Sequence, residues 1–157
     1  MFFKKKVNKE RAKISVHSIG DLSLDLWFEF LEIAPHERYF KVDSLEENCV
    51  FFTLFYYTEF ALLKKIPFSE IAFVSNVVIE TYAKTTNIED DSETIFRRYQ
   101  QAYSKLSSVK TIAEQIELFL LHITNEKEQI NTEKTTVFSE MCLSFHEKLF
   151  WRIFVGN

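Results

Sequence analysis

One run of the chain, from Cys49 to Leu63, carries a single charge, at Glu59. When the run is wound as a helix at roughly 100° per residue, apolar side chains cover every side of it. Such a helix is either the centre of a packed bundle or a membrane segment. At ~1.5 Å per residue the run reaches only about 22 Å, which is short of a hydrocarbon core of ~30 Å. The run therefore predicts the central helix of a soluble helical protein, over residues 45–65.

The composition favours long helices with few tight turns. The 157 residues include 17 Phe but only 2 Gly and 2 Pro, whereas sandwiches and barrels need many turns built from Gly and Pro. The length suits one domain. We therefore predict an all-α fold, with a mobile basic tail over residues 1–11 and a single domain of about six helices over residues 12–157.

Apolar residues at helical spacing locate the individual helices. Besides the central helix, the pattern predicts helices over 22–34, from Ser69 through Tyr82, over 92–107, over 109–127 and over 133–155. Two short stretches alternate weakly between polar and apolar residues. They are candidates for short strands, over residues 13–17 and 38–42.

The charge balance excludes a general nucleic-acid binder, because the net charge is −4 and the pI is near 5.6. The amino end is basic, but we expect it to be a solvated tail that does not contact a membrane surface. Its lysines follow Phe2 and Phe3 and no apolar core comes after them, so the pattern is not that of a secretory signal. Cys49 and Cys142 are predicted to be buried free thiols, which are typical of the cytoplasm.

The sequence contains no recognisable catalytic, cofactor or metal motif. It lacks Glu-x-x-His, His-Glu-x-x-His and paired cysteines, and 2 glycines cannot form a glycine-rich phosphate loop. We therefore predict no metal, no cofactor and no catalytic residue. If the last two helices pair in antiparallel fashion, His122 and His146 would approach each other, although both are expected to be ordinary boundary residues, and His17 and His36 have no motif around them.

Glu59 is the most unusual single residue, because Phe52, Phe55 and Leu63 surround it on the central helix. A carboxylate desolvated at this place would act as an acid or hold a ligand. One alternative is that Glu59 marks the least buried strip of the helix and meets a Lys or Arg. Another is that it has a buried partner such as Arg97 or Arg98.

The last predicted helix has more apolar residues than one buried face requires. Leu143, Phe150 and Phe154 form a second stripe, about 140° from the first, and Trp151 adds to the excess. The stripe is either an association surface or part of a helix that is covered on both sides. We predict that Leu143, Phe150, Trp151 and Phe154 bind a partner.

Two functions follow from these patterns. The first is a non-catalytic interaction protein, such as an adaptor, inhibitor or regulatory subunit, that docks its C-terminal aromatic residues onto another chain or onto its own copy as a homodimer. The second is a binder of a small apolar ligand in a Phe-rich interior near Glu59. An enzyme that uses Glu59 or the histidines ranks last.

Overall fold

The protein is all-α in a computed structural model that describes residues 7–34, 39–40, 45–86, 90–125 and 132–156. Within these residues the chain forms six α-helices, as predicted. A π-helical turn, Trp151–Val155, continues the last helix. The helices are α1 (Lys9–Ile33), α2 (Leu45–Leu63), α3 (Phe68–Thr85), α4 (Ser92–Ser107), α5 (Ile112–Ile123) and α6 (Thr132–Phe150).

The predicted central helix, α2, lies at the centre of the fold and packs against each of the other five helices. All residues from Cys49 to Tyr57 are buried, so the helix has no solvent-facing side over more than two turns. Its two sides contribute to two hydrophobic clusters. One cluster joins α2 to α5, α6 and the second half of α1, and the other joins it to α3, α4 and the first half of α1.

The first helix is longer than predicted. Residues 13–17, a strand candidate, and Lys9 to Arg11, assigned to the tail, all lie within α1. The side chain of Asn8 caps the helix by accepting a hydrogen bond from the backbone N–H of Arg11 at 3.1 Å. The strand prediction was wrong because small residues form much of the buried face of α1. Its buried residues are Ala12, Ser15, Ser18, Ile19, Leu22, Ser23, Leu26 and Phe30.

Gly20 lies inside α1 rather than at its start, so its replacement by alanine should change the stability of the protein. A methyl group added at Gly20 would meet nothing within 4 Å, and no glycine of the chain has a positive φ. We therefore expect Gly20→Ala to raise the free energy of unfolding by about 0.5–1 kcal/mol, because alanine loses less backbone entropy in a helix. Urea denaturation measures the change. A decrease would show that Gly20 occupies a turn instead.

The start of α1 is fixed to α3 by an ion pair. Glu70 is 1 % exposed and accepts hydrogen bonds from Arg11 Nε at 2.7 Å, from Arg11 Nη2 at 2.8 Å and from the backbone N–H of Asn8 at 2.8 Å. The hydrogen bonds from Arg11, above all, hold the pKa of Glu70 below its ordinary value of 4.5. The first turn of α1 is thus anchored to the protein body.

The Glu70 pair predicts how stability depends on pH. Because the pKa of Glu70 is lowered on folding, its stabilising contribution is complete above pH 4.5 and is lost as the pH falls through the folded-state pKa. We expect Glu70→Gln to lower the urea midpoint at pH 7, and we expect the difference from the wild type to shrink as the pH falls below 4.5. A difference that stays constant with pH would contradict this account.

The connections around the last helices differ from prediction. α5 ends at Ile123, before the predicted end at residue 127, because Thr124 leaves the helix and forms an isolated antiparallel bridge with Phe40. Of the strand candidate over 38–42, the structure describes only Tyr39 and Phe40, and the bridge involves Phe40. Residues 38, 41 and 42, together with His36 and residues 1–6, lie outside the described part of the chain. None of the described helices is both long and apolar enough to cross a membrane.

Candidate functional site

The residues predicted to bind a partner lie on α6 and the π-helical turn, and we call them the C-terminal surface. Leu143 is 43 % exposed and Trp151 is 61 % exposed. Phe150 and Phe154 are half-buried. The second apolar stripe of α6 is therefore only partly covered by the chain itself.

The last two turns of α2 hold the half-buried phenylalanines in place. The ring of Phe60 lies 4.9 Å from that of Phe150 and 6.1 Å from that of Phe154, between centroids. Tyr57 stacks on Phe154 at 6.0 Å. Tilted and stacked arrangements are the ones that aromatic pairs prefer. The rings of Phe150 and Phe154 thus pack against α2 as well as contributing to the C-terminal surface.

Ion pairs attach the opposite side of α6 to α1. Arg152 donates to Asp21 at 3.0 Å, and Lys148 lies 3.9 Å from Asp25. Residue numbers rise along one helix as they fall along the other, so the two helices are antiparallel. Since these groups are about half exposed, each pair adds little stability, but together they fix which side of α6 faces away from α1.

Glu59 has a phenol as its partner rather than an arginine. The hydroxyl of Tyr103 donates to Glu59 Oε1 at 2.7 Å. Burial and then this hydrogen bond raise the pKa of Tyr103 above its ordinary value. The suggested partners of Glu59 are engaged elsewhere, because Arg97 pairs with Glu93 and Arg98 pairs with Glu47. Pairing of Glu59 with either arginine was therefore wrong.

The histidines occupy separate environments. The ring of His146 lies 4.6 Å from that of Tyr56 and 4.8 Å from that of Phe60, and burial lowers its pKa. His122 is a residue of α5 and lines a groove between the helices. His17 lies on the exposed side of α1, with its Nε2 atom 3.6 Å from Asp21 Oδ2. In the described part of the chain, no group of three or more His, Cys, Asp or Glu residues could hold a metal ion.

Both cysteines are buried and free, as predicted. Burial raises the pKa of Cys49 and that of Cys142. A thiol with a raised pKa carries little thiolate and is a poor nucleophile. The two cysteines therefore act as small apolar side chains of the core.

A large open groove, which the sequence patterns do not predict, lies beside the first half of α2. Its volume is about 1820 Å³, and aromatic side chains line it together with the ion pair of Glu47 and Arg98. Glu47 is 4 % exposed and accepts from Arg98 Nε at 2.6 Å and from Arg98 Nη2 at 3.0 Å, while Arg98 Nη1 donates to Asp90 at 2.8 Å. The apolar lining of the groove comprises Trp27, Leu31, Phe40, Phe51, Phe52, Leu118, Phe119 and Leu121.

The groove is not at the place predicted for an apolar ligand, which was near Glu59. Glu59 lines neither the groove nor the second, shallower cavity, which lies along the outer side of α6 beside Leu143. Leu118 and Leu121 of α5 lie in the wall of the groove. An apolar ligand would therefore contact the accessible wall of the groove, at Trp27, Leu31 and Leu121, and not Glu59.

Comparison of the chain with protein families, with curated proteins and with solved structures finds no match.

Proposed function

We propose that the protein is a non-catalytic interaction protein whose C-terminal surface docks onto a second copy of the same chain. The observation that carries this proposal is the exposure of Leu143 and Trp151 on the same surface as the stacked pair Phe150 and Phe154. Apolar side chains in one stripe, with an aromatic centre and a charged rim, are typical of association surfaces.

The charges along this stripe favour a second copy as the partner. Glu140 and Glu147 are exposed on the stripe before its aromatic end. At the aromatic end, Lys64 Nζ lies 5.5 Å from the centre of the Phe150 ring. In a dimer whose two-fold axis is perpendicular to α6, each copy of α6 meets the other running in the opposite direction, so the acidic part of one copy faces the basic end of the other.

This role needs no cofactor, metal or nucleic acid, and we expect the protein to act in the cytoplasm. Two buried free thiols support that location, because a reducing compartment keeps such thiols unpaired. The absence of a recognisable catalytic motif in the sequence supports a non-catalytic role.

Sedimentation velocity over a concentration series tests the proposal. We expect the wild type to shift from monomer to dimer as the concentration rises, and Leu143→Asp/Trp151→Ser to remain a monomer. Both side chains are exposed, so the double variant leaves the core intact. The matched control is Leu24→Asp/Phe28→Ser, which changes two exposed residues of α1 and should dimerise like the wild type. A wild type that stays monomeric, or a control that also loses the dimer, would contradict the proposal.

A second candidate function is the binding of an extended apolar ligand in the groove, against Trp27, Leu31 and Leu121. The size and aromatic lining of the groove favour it. Ala102 lines the groove and is half-buried, so Ala102→Trp should fill part of it. The expected result is that a fluorescent fatty acid binds the wild type and binds this variant more weakly. Equal binding would exclude the groove as the site.

A further inference from the structure

The corner between α2 and α3 carries the two most exposed large hydrophobic side chains in the described part of the chain. Leu63 is 78 % exposed and Phe68 is 79 % exposed. Between them are Lys64 and Lys65, both exposed, followed by Ile66 and Pro67. Residues 63–68 form what we call the α2–α3 corner. Leu63 and Phe68 do not belong to the C-terminal surface, whose residues were predicted to bind a partner.

The backbone of the α2–α3 corner has a defined geometry. Lys65 has a φ of 58°, the left-handed conformation that commonly ends a helix. The N–H of Ile66 donates to the carbonyl of Ala61 at 2.9 Å, and the N–H of Lys65 donates to that of Leu62 at 3.1 Å. These two hydrogen bonds form a Schellman motif. The corner is therefore a fixed turn that holds Leu63 and Phe68 outward.

The exposed charges of the corner are both positive. The carboxylate nearest in sequence on the α3 side, Glu70, is buried and paired with Arg11. On the α2 side, Glu59 accepts the hydrogen bond from Tyr103. Thus, although the whole chain has a net charge of −4, the corner presents two ammonium groups beside two apolar tips. One of them, Lys64 Nζ, also lies 5.5 Å from the Phe150 ring, where the corner borders the C-terminal surface.

We propose that the α2–α3 corner docks onto the surface of a bilayer that contains anionic lipids. Leu63 and Phe68 would enter the boundary between headgroups and acyl chains, while Lys64 and Lys65 contact the anionic headgroups. A protein partner would need a matching pocket for each projecting side chain, whereas fluid lipid adapts to both. The positive charge of the corner and the shape of its apolar tips thus both favour an anionic bilayer as the binding surface.

Vesicle co-sedimentation of the full chain tests this proposal. We expect binding to vesicles of equal parts phosphatidylserine and phosphatidylcholine, and weaker binding to vesicles of phosphatidylcholine alone. Leu63→Ser/Phe68→Ser should reduce the affinity roughly tenfold or more, because the apolar contribution is removed. Lys64→Gln/Lys65→Asn should cause a loss of similar size on the mixed vesicles only, since each lysine contributes through the surface potential. Asparagine tolerates the left-handed backbone at position 65.

The control variant is Leu24→Ser/Phe28→Ser, because it removes two exposed apolar residues that have Asp25 and Glu29 beside them in α1. It should bind the mixed vesicles as the wild type does. A wild type that ignores phosphatidylserine would overturn the proposal. Unchanged vesicle binding by Leu63→Ser/Phe68→Ser would overturn it as well.

A second readout locates the contact on the molecule. In Phe68→Cys the new thiol is exposed, while Cys49 and Cys142 are buried, so an environment-sensitive dye labels position 68 selectively. We expect a blue shift of the dye emission when the mixed vesicles are added. An unchanged spectrum would refute insertion at the corner, and a shift caused by added protein in place of lipid would assign the corner to a protein partner and overturn the proposal.

Discussion

Replacing Phe52 with alanine is expected to lower the free energy of unfolding by about 3–5 kcal/mol, the largest effect of any single change considered for this protein. Phe52 is fully buried in α2. Its ring stacks on Phe119 of α5 at 4.2 Å between centroids and lies 4.9 Å from Tyr56. It also faces Phe145 of α6 at 6.1 Å. The truncation removes ring contacts to two other helices, α5 and α6, and leaves a cavity in the core.

Urea denaturation of Phe52→Ala beside Phe68→Ala measures this effect. Both variants remove a phenyl ring, but Phe68 is 79 % exposed, so its loss should change the free energy of unfolding by no more than about 0.5 kcal/mol. Equal stability of the two variants would contradict the placement of α2 at the centre of the fold.

Removing the guanidinium of Arg98 should be the second most damaging change. Arg98→Met leaves the carboxylate of Glu47 in an almost fully buried position without its bidentate partner. Removing one partner of an ion pair costs about 3–5 kcal/mol when the pair is fully desolvated. Because 37 % of the Arg98 side chain is exposed, solvent reduces the expected loss of unfolding free energy to roughly 2–3 kcal/mol.

The neighbouring arginine provides the matched control. Arg97 pairs with Glu93 within the same helix, and both side chains are more than two thirds exposed, so Arg97→Met should cost at most about 0.5 kcal/mol. The double variant Glu47→Met/Arg98→Met should regain most of the loss, because apolar residues often replace a buried pair without penalty. Thermal and urea denaturation of the three variants test this order. A double variant less stable than Arg98→Met would contradict it.

The sequence was sufficient to predict the parts of the fold that depend on large apolar residues. The run from Cys49 to Leu63 identified α2, and α4 has the predicted bounds. The first half of α1 was missed because Ala12, Ser15 and Ser18 form its buried face, and small polar residues give no hydrophobic period. The Asn8 cap was the available signal, since Asn at this position is typical of a helix start.

Side-chain partners were much harder to predict than helices, because they depend on how the helices pack. Glu47 and Arg98 are separated by 51 residues, and Arg11 and Glu70 by 59. No local pattern relates such residues. Glu59 is the one charge of the apolar run, but the hydroxyl that it binds, from Tyr103, lies on another helix.

The α2–α3 corner was missed for a different reason. Leu63 was counted within the apolar central run, and a helical projection does not reveal where a buried helix leaves the core. Lys64 and Lys65 followed by Pro67 were the signal that the run had reached solvent. For the C-terminal surface, spacing predicted one stripe, and packing against Phe60 divides it into half-buried and exposed members.

Site-specific photo-crosslinking is the most direct test of the claim that the C-terminal surface binds a second copy. A benzophenone amino acid replaces Trp151 in one variant and Phe28 of α1 in another, since both side chains are exposed aromatic residues. Irradiation of the purified variants should yield a covalent dimer from position 151 and none from position 28. No dimer from position 151, or equal yields from the two positions, would contradict the account.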